Sequence, residues 1–282
     1  MHIKQLERRI TKGMGQAILD FGLIVPNDKI LVAMSGGKDS YTLMWALQQF
    51  QKAAPFDFEL VAYHLDQGQP GHNVRPLEEH MASLGVPYEV EYQDTYTRVL
   101  ELTEPGKIYC SVCSRFRRAI LYSAAKKHGC NKVALGHHRD DLLETLLLNL
   151  FFSGQLKAMS ARLLSDDGVQ EVIRPLCYVP EEEIAEFAQL QKFPILPCNL
   201  CGSQQAQRKF VKDLLTELSQ KSPHLKGNML HAISNLMPRH LLDKRYHPLF
   251  TASPEAQSGV DEVDSSCAPP APSSSRLQIV SG

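Results

Sequence analysis

The chain has 282 residues, 43% of them apolar, and 30 lysines and arginines against 31 aspartates and glutamates give a net charge of -1. This content suffices for one large domain, or one domain with a smaller appendage, without disulfide staples. The charge balance excludes a wholly basic chain, so a nucleic acid would have to meet a local patch. No run approaches the roughly 20 apolar residues of a membrane span, and no signal peptide is evident. We therefore expect a cytoplasmic protein that does not enter membranes, with its seven cysteines in a reducing compartment.

The hydrophobic pattern predicts helices that alternate with short strands. Residues 4–22 carry apolar side chains at helical spacing, with lysines and arginines between them, which is typical of a basic amphipathic helix. Segments of helical periodicity then separate four β-rich runs, which lie at residues 29–34, 58–65, 87–92 and 131–137. Strands that alternate with helices predict an α/β fold, in which a parallel sheet is sandwiched by helices.

The second half of the chain is predicted to add a strand near residue 172, a helix from residue 180, and two helices between residues 203 and 236. From residue 251, Ser, Pro, Ala and Asp dominate, a composition with too little apolar surface to fold, so a disordered tail is predicted. The expected organisation is an N-terminal basic helical segment (1–27), a central α/β domain (28–195), a C-terminal helical segment (196–250) and the tail (251–282).

A glycine-rich turn, SGGKDS at residues 35–40, lies between the first predicted strand and the next helix. Glycines at such a place let backbone N–H groups point at an anion, and the helix N-terminus adds partial positive charge. The spacing fits neither the G-x-x-x-x-G-K-[ST] loop of nucleoside triphosphatases nor the G-x-G-x-x-G dinucleotide motif. The alternative is an ordinary turn, in which Lys38 is solvated and Ser40 caps the helix. The spacing alone leaves both interpretations open.

Two C-x-x-C pairs are spaced to hold a metal centre: Cys110 with Cys113, and Cys198 with Cys201. Four such thiolates typically bind structural zinc, whereas three of them can hold an iron–sulfur cluster with one iron left open. Arginines at positions 115, 117 and 118 would favour the thiolate form of the first pair. A redox dithiol is a further alternative for that pair. The spacing does not separate these kinds of site.

Polar residues also follow the fourth predicted strand, where the chain has the sequence GHHRDD from Gly136 to Asp141. Carboxylates at the C-terminal edge of a parallel sheet suit Mg²⁺ that is shared with nucleotide phosphates. The alternative is that Asp140 caps a helix and Asp141 is a favourable first-turn charge. Asp66 follows the second strand and should lie on the same edge, where it either contacts ribose or metal or opens a turn closed by Gly68.

The S-G-G-x-D-S string resembles the defining motif of the ATP pyrophosphatase, or PP-loop, family. Together with LDQGQPG, CSVCSRFRR, LGHHRDD, IRPL and PCNLCGSQ in this order, it resembles the bacterial tRNA two-thiocytidine synthetases, a PP-loop branch with an iron–sulfur cluster. The resemblance covers residues 4 to 240 and does not extend to the tail. It implies a PP-loop fold and an enzyme that uses ATP to replace the C2 oxygen of cytidine 32 in the tRNA anticodon loop with sulfur, through an adenylated intermediate.

The resemblance also implies roles for individual residues. The implied ATP-binding residues are Ser35, Gly36, Gly37, Lys38, Asp39, Ser40, Asp66, Gly136 and His137. The implied catalytic residues, which orient Mg²⁺ or assist proton movement, are Asp39, Asp140 and Asp141. The implied ligands of a [4Fe-4S] cluster are Cys110, Cys113 and Cys201, with Cys198 as the less favoured third ligand. Cys130 and Cys267 have no counterpart in the motifs, and Cys177, just after IRPL, is likewise expected to be a packing residue and not a ligand.

The implied partners are tRNA as substrate and a cysteine desulfurase as sulfur donor, and a homodimer is left open. Arg115, Arg117, Arg118 and the basic first helix would contact tRNA phosphates. Two other functions are also open. One is a PP-loop tRNA-modifying ligase of another substrate, such as a lysidine or uridine ligase, with structural zinc on the four paired cysteines. The other is a non-catalytic metal-containing RNA-binding module, against which the intact SGGKDS loop argues.

Overall fold

The computed structural model describes residues 2–102, 110–165, 168–196 and 205–246, with the backbone alone for residues 110–112 and 205. These residues fall into two units that divide between Asn235 and Leu236. The second unit contains two short 3-10 helices, Pro238–His240 and Lys244–Tyr246. The tail predicted from residue 251 lies outside the described residues, and the domain boundaries at 27, 195 and 250 stay predictions.

One sheet runs through the first unit, and its strand order is β3-β2-β1-β4-β6-β5. The strands are β1 (Lys29–Ala33), β2 (Glu59–Asp66), β3 (Tyr88–Tyr92), β4 (Lys132–Ala134), β5 (Arg162–Leu164) and β6 (Glu171–Ile173). Every neighbouring pair is parallel except β5 with β6, which is antiparallel. The predicted α/β fold with a mainly parallel sheet is therefore confirmed.

Helices connect and cover the strands. In the described ranges they are α1 (His2–Phe21), α2 (Lys38–Ala53), α3 (Arg75–Ser83), α4 (Thr95–Leu102), α5 (Cys110–Lys127), α6 (Arg139–Phe152), α7 (Glu181–Gln191), α8 (Gln205–Lys221) and α9 (Leu225–Ser234). The predicted N-terminal helix and the predicted pair of helices between residues 203 and 236 are confirmed, and α8 and α9 are separated by residues 222–224. The helices of these ranges lack any apolar stretch sufficient for a bilayer crossing.

Both faces of the sheet are buried at its central strand β1, because alternate residues of this strand pack into different hydrophobic clusters. Ile30 and Val32 pack with residues of α1, α2 and α7, whereas Leu31 packs with residues of α5. A strand that is covered on both faces has a nearly continuous apolar sequence, which explains the run ILVA in β1. The core therefore holds β1 rigidly at the centre of the sheet.

Several elements differ from the sequence prediction. The short helix α4 and the edge strand β5 were not predicted, and only residues 171–173 of the run around IRPL are in a strand. Helix α5 starts at Cys110, so the first C-x-x-C pair lies in its first turn and not before it. All three residues of β5 are exposed, so this strand has no alternating pattern by which it could be recognised.

The centre of the sheet contains a topological switch point. From β1 the chain continues to β2 and β3 on one side of β1, and it then crosses to β4 on the other side. The SGGKDS turn follows β1, the GHHRDD segment follows β4, and Asp66 ends β2. Since these three strands are parallel, all three segments lie at one edge of the sheet. Ligands of open α/β sheets bind at this kind of edge.

Candidate functional site

The SGGKDS turn is held in shape by its two serines. Gly36 has a φ of +79°, in the left-handed region that favours glycine. The Ser35 hydroxyl donates to Ser40 Oγ at 3.2 Å and accepts the Gly37 N–H at 3.3 Å, while the Ser40 hydroxyl donates to the Gly37 carbonyl at 2.9 Å. The alternative role of Ser40 as a helix cap is wrong, because α2 begins after Gly37 and has no side-chain cap.

Asp39, in the first turn of α2, has a buried carboxylate oxygen that pairs with Lys38 but has no hydrogen-bond partner among the described residues. Its Oδ1 is buried and makes no hydrogen bond to any described residue. The atom lies 3.0 Å from Lys38 Nζ and 3.6 Å from His138 Nε2, but neither contact has hydrogen-bond geometry. A buried polar atom of this kind normally meets water, a metal ion or a ligand. Asp39 is therefore the described residue best suited to a bound cation at this turn.

Lys38 is a charged residue within the same turn. Burial lowers the pKa of its ammonium group, but the neighbouring carboxylates of Asp39 and Glu181 raise it by more, so the net pKa is raised. Lys38 Nζ lies 3.3 Å from Glu181 Oε1 at the start of α7. Lys38 is therefore not simply solvated, and its fixed positive charge stands beside the helix N-terminus.

The loop after β4 packs directly on the SGGKDS turn. A Cβ atom at Gly136 would lie 3.0 Å from the carbonyl carbon of Asp39 and 3.1 Å from the amide nitrogen of Ser40. Such distances to backbone atoms are shorter than nearly all real Cβ contacts. Only glycine lets the two loops approach this closely.

His137 is a neutral hydrogen-bonding residue fixed by Arg174. The Nε–H of Arg174 donates to His137 Nδ1 at 3.2 Å. Burial and the charge of Arg174 lower the pKa of His137 to about 4. Since arginine can only donate, the proton of the neutral ring is on Nε2, which can donate to a bound group. Arg174 belongs to the IRPL motif, whose sequence gave no indication of this partner.

The helix α6 is capped by His138, and the prediction that Asp140 caps it is wrong. His138 Nδ1 accepts the N–H of Asp141 at 3.4 Å, and Asp141 Oδ2 accepts the N–H of His138 at 3.1 Å, which together form a capping box. Asp141 lies in the first turn, as its alternative interpretation stated. The His138 ring also joins this cap to the Asp39 carboxylate described above.

The Asp140 carboxylate is occupied by internal contacts. It is 3% exposed, accepts the backbone N–H of Glu181 at 2.8 Å and pairs with Lys226 Nζ at 2.6 Å and Arg139 at 3.3 Å. Burial raises its pKa, but Lys226, the Glu181 N–H and Arg139 lower it by more, so the net pKa is lowered. These contacts join α6 to α7 and α9. Its predicted catalytic role stays a prediction.

We expect Asp140→Asn to lower the free energy of unfolding by about 3–5 kcal/mol, the usual effect of removing one partner of a buried ion pair. Because the folded pKa is lowered, the carboxylate stabilises the fold above the ordinary carboxyl pKa and stops doing so as the pH falls. Urea denaturation at neutral and acidic pH measures both effects. The control is Asp213→Asn, whose exposed pair with Lys209 should contribute less than about 1 kcal/mol. Equal stability of the two variants would contradict the expectation.

The loop after β2 connects the sheet edge to the first cysteine pair. Asp66 Oδ1 accepts the N–H of Gly68 at 3.0 Å, so the turn predicted as one alternative for Asp66 is confirmed, and contact with ribose stays a prediction. The next side chain, Gln67, contacts Cys113: their Oε1 and Sγ atoms are 3.4 Å apart. The Thr95 hydroxyl also donates to Gln67 Oε1, at 3.3 Å. Neither partner of Gln67 was predicted.

Cys113 differs from the other cysteines whose side chains are described. It is half-buried, whereas Cys130 and Cys177 are fully buried in the hydrophobic core. Burial raises the pKa of the Cys130 thiol to about 11 and that of Cys177 to about 12, so both stay protonated and suit packing better than ligation. The Cys110 side chain, Cys198 and Cys201 lie outside the described residues. Within the part that is described, no three His, Cys, Asp or Glu side chains converge on a metal site.

The segment that precedes the second cysteine pair also contacts the SGGKDS turn. The Leu196 N–H donates to the Gly36 carbonyl at 2.9 Å, and the Leu196 side chain would be 2.8 Å from a Cβ atom at Gly36. Leu196 precedes Cys198 by two residues. The chain therefore contacts the SGGKDS turn just before the second C-x-x-C pair. The first C-x-x-C pair is connected to the same edge of the sheet through the contact between Cys113 and Gln67.

Comparison with known proteins agrees with this geometry. A PP-loop domain model matches residues 3–217. The chain is 54% identical to the tRNA-cytidine(32) 2-sulfurtransferase of Anaeromyxobacter dehalogenans (strain 2CP-C) over 246 residues, which cover 87% of this chain and 85% of that relative. It is 48% identical to the protein of the same name from Paracidovorax citrulli (strain AAC00-1) over 280 residues, with 98% and 90% covered.

A solved structure shows the same fold at low sequence identity. It is the U34-tRNA thiolase NcsA from Methanococcus maripaludis with its [4Fe-4S] cluster, which is 23% identical and has a TM-score of 0.65 over 82% of this chain and 77% of that chain. The family suggested by the ordered motifs is thus confirmed by relatives that match most of the chain. The chain belongs to the PP-loop family and, within it, to the family of the tRNA-cytidine(32) 2-sulfurtransferases.

Proposed function

We propose that the protein is an ATP-dependent tRNA sulfurtransferase that converts cytidine 32 of the anticodon loop to 2-thiocytidine. Its family membership supports the substrate and the reaction. The observation that carries the proposal is the joint position of the two cysteine segments. Cys113 contacts Gln67, and Leu196 contacts Gly36, so both segments meet the sheet edge at which the SGGKDS turn lies. One cleft can therefore serve both ATP and sulfur.

ATP solves a leaving-group problem in this reaction. A pyrimidine carbonyl oxygen is a poor leaving group, so the C2 oxygen first attacks the α-phosphorus of ATP and pyrophosphate departs. A sulfur nucleophile then attacks C2, and the oxygen leaves as part of AMP. Backbone N–H groups at the start of α2 and the charge of Lys38 would hold the β and γ phosphates. The neutral His137 would donate from Nε2 to a phosphate oxygen.

The carboxylates fit a Mg²⁺ ion that is shared with phosphates. Magnesium in nucleotide sites typically takes one or two carboxylates together with phosphate oxygens and water. Asp39 offers a buried oxygen without a hydrogen-bond partner among the described residues, and Asp141, 21% exposed, lies on the loop that faces Asp39, with its Oδ2 3.5 Å from His138 Nε2. Because Asp140 is occupied by its internal contacts, we propose Asp39 and Asp141 for the cation and for proton movement, and Asp140 for positioning.

The residue type and spacing of the paired cysteines support a [4Fe-4S] cluster. We propose Cys110, Cys113 and Cys201 as ligands, of which Cys113 is half-buried at the cleft. Cys113 lies in the first turn of α5, two residues before Arg115. A cluster with three cysteine ligands supplies one iron with an open position for sulfur. We further propose a cysteine desulfurase as the sulfur source and the cytoplasm as the location, where such a thiolate stays reduced.

The proposal is tested by mass analysis of tRNA nucleosides from a strain of the source organism that lacks the gene. Two-thiocytidine should disappear, return with the wild-type gene, and stay about 10²–10³-fold slower to form with Asp39→Asn, because one group that stabilises transition-state charge is removed. Asp57→Asn, which changes an exposed carboxylate outside the cleft, is the matched control.

Other outcomes would contradict the proposal. Loss of lysidine or of a modified uridine in the deletion strain would point to another PP-loop tRNA ligase. Undiminished two-thiocytidine would exclude the function. A colourless, zinc-loaded and active protein would keep the reaction but remove the cluster, so the metal content of the purified enzyme is measured in the same experiment.

A further inference from the structure

An open groove of about 550 Å³ follows the exposed face of α5, outside the cleft described above. Residues of α5 at helical spacing form one wall, including Arg115, Arg118, Tyr122 and Lys126. Gln170, just before β6, lines the other side. From Arg115 to Lys126 the helix rises by about 16 Å, which is enough to contact several consecutive phosphates of a nucleic acid.

The positive charges of this groove have no ion-pair partner in the described part of the chain. Arg115, Arg118 and Lys126 are exposed, and none forms an ion pair with a described residue. By contrast, the neighbouring Lys127 does not line the groove and pairs with Glu89. Like charges along one helix face repel each other, so the free protein gains from an anion that neutralises them.

Gln170 adds a hydrogen-bond acceptor to these charges. The residue is 2% exposed, and its Oε1 makes no hydrogen bond to any described residue. Its backbone is fixed, because its N–H donates to Ser165 Oγ at 3.0 Å and its carbonyl accepts the Ser165 N–H at 2.8 Å. A buried amide oxygen on the wall of a groove calls for a donor from the bound molecule. A carboxylate could not supply that donor, whereas a ribose hydroxyl can.

We propose that this groove binds the sugar–phosphate backbone of RNA. Arg115, Arg118 and Lys126 contact phosphates, and Gln170 accepts a hydrogen bond from a ribose 2′-hydroxyl, the group that distinguishes RNA from DNA. The inference rests on the proposed function, which makes tRNA the substrate.

The test uses the full-length, cluster-loaded protein and an anticodon stem–loop RNA with cytidine at position 32, alongside DNA of the same sequence. Fluorescence anisotropy is measured over a range of salt concentrations. Lys126→Gln should weaken RNA binding about tenfold at low salt and reduce the slope of log affinity against log salt by about 1, because one phosphate contact is lost. Lys127→Gln removes the same charge from the adjacent position and should leave the slope unchanged.

A second variant tests the acceptor. Gln170→Leu should weaken RNA binding about fivefold and leave DNA binding as it was, since one hydrogen bond to the 2′-hydroxyl is lost. Equal salt slopes for Lys126→Gln and Lys127→Gln would overturn the proposed groove while the sulfurtransferase function stood. An equal loss of RNA and DNA binding in Gln170→Leu would overturn the role of Gln170. A wild-type protein that binds neither nucleic acid would overturn both the groove and the proposed function.

Discussion

Cys113→Ser protein is expected to purify without a [4Fe-4S] cluster and to form no two-thiocytidine. In the proposed site Cys113 is one of three cysteine ligands, and a serine hydroxyl stays protonated at neutral pH and cannot replace its thiolate. The loss should exceed the about 10–100-fold that outer partners of a metal site contribute. Iron and acid-labile sulfide analysis, anaerobic absorbance spectra and nucleoside mass analysis measure the effect.

Cys130→Ala is the matched control for the loss of a thiol. Cys130 is 4% exposed in the core cluster beside α5, and its raised pKa keeps it protonated. This variant should keep its iron, its spectrum and its activity, with a modest loss of stability. Full iron content in Cys113→Ser would contradict the proposed ligand, and loss of iron in Cys130→Ala would show that the readout reports folding and not ligation.

The fold could be predicted from sequence because its central strands are covered on both faces. Continuous apolar runs such as that of β1, separated by segments of helical periodicity, are compatible with few folds other than a parallel sheet covered by helices. Strand β5 could not be predicted, because its residues 162–164 are all exposed and only pairing with β6 defines them. Helix α4 is short and contains β-branched residues, for which local propensity is a weak guide.

The candidate site was predictable to the extent that each motif is local. Residues 35–40 and 136–141 each follow a strand, and parallel strands bring their C-terminal ends to one edge. The contacts between motifs were not predictable, because they join distant parts of the chain. Arg174 with His137 and Gln67 with Cys113 have no spacing that identifies them. The contact with Arg174 nevertheless fixes the protonation of His137, and the contact with Gln67 fixes the position of Cys113.

The assignment of the paired aspartates shows the same limit. Adjacent carboxylates after a strand suggest a cation site, and the sequence gives Asp140 and Asp141 equal standing. Their environments differ because Lys226 and the N-terminus of α7 reach only Asp140. A carboxylate that already accepts an N–H and pairs with an ammonium group offers little to a cation. Tertiary contacts, and not local sequence, thus separate positioning from the chemistry we propose.

Gly136→Ala is expected to weaken ATP binding about 10–100-fold without changing any functional group. The added methyl group would meet the backbone of Asp39 and Ser40 at 3.0–3.1 Å, and backbone atoms cannot rotate away as a side chain would. Overpacking of this kind typically costs about 1–3 kcal/mol. The strain falls on the SGGKDS turn, so the N–H groups that would hold the phosphates are displaced. Isothermal titration with a non-hydrolysable ATP analogue measures the loss.

Gly15→Ala is the matched control. Gly15 lies within α1, and a Cβ atom at this position would meet no other atom within 4 Å. This variant should bind the analogue as the wild type does, and alanine should stabilise the helix by about 0.5–1 kcal/mol. A Gly136→Ala protein that binds the analogue with wild-type affinity would show that the two loops can move apart. The close packing of these loops would then not be what shapes the phosphate site.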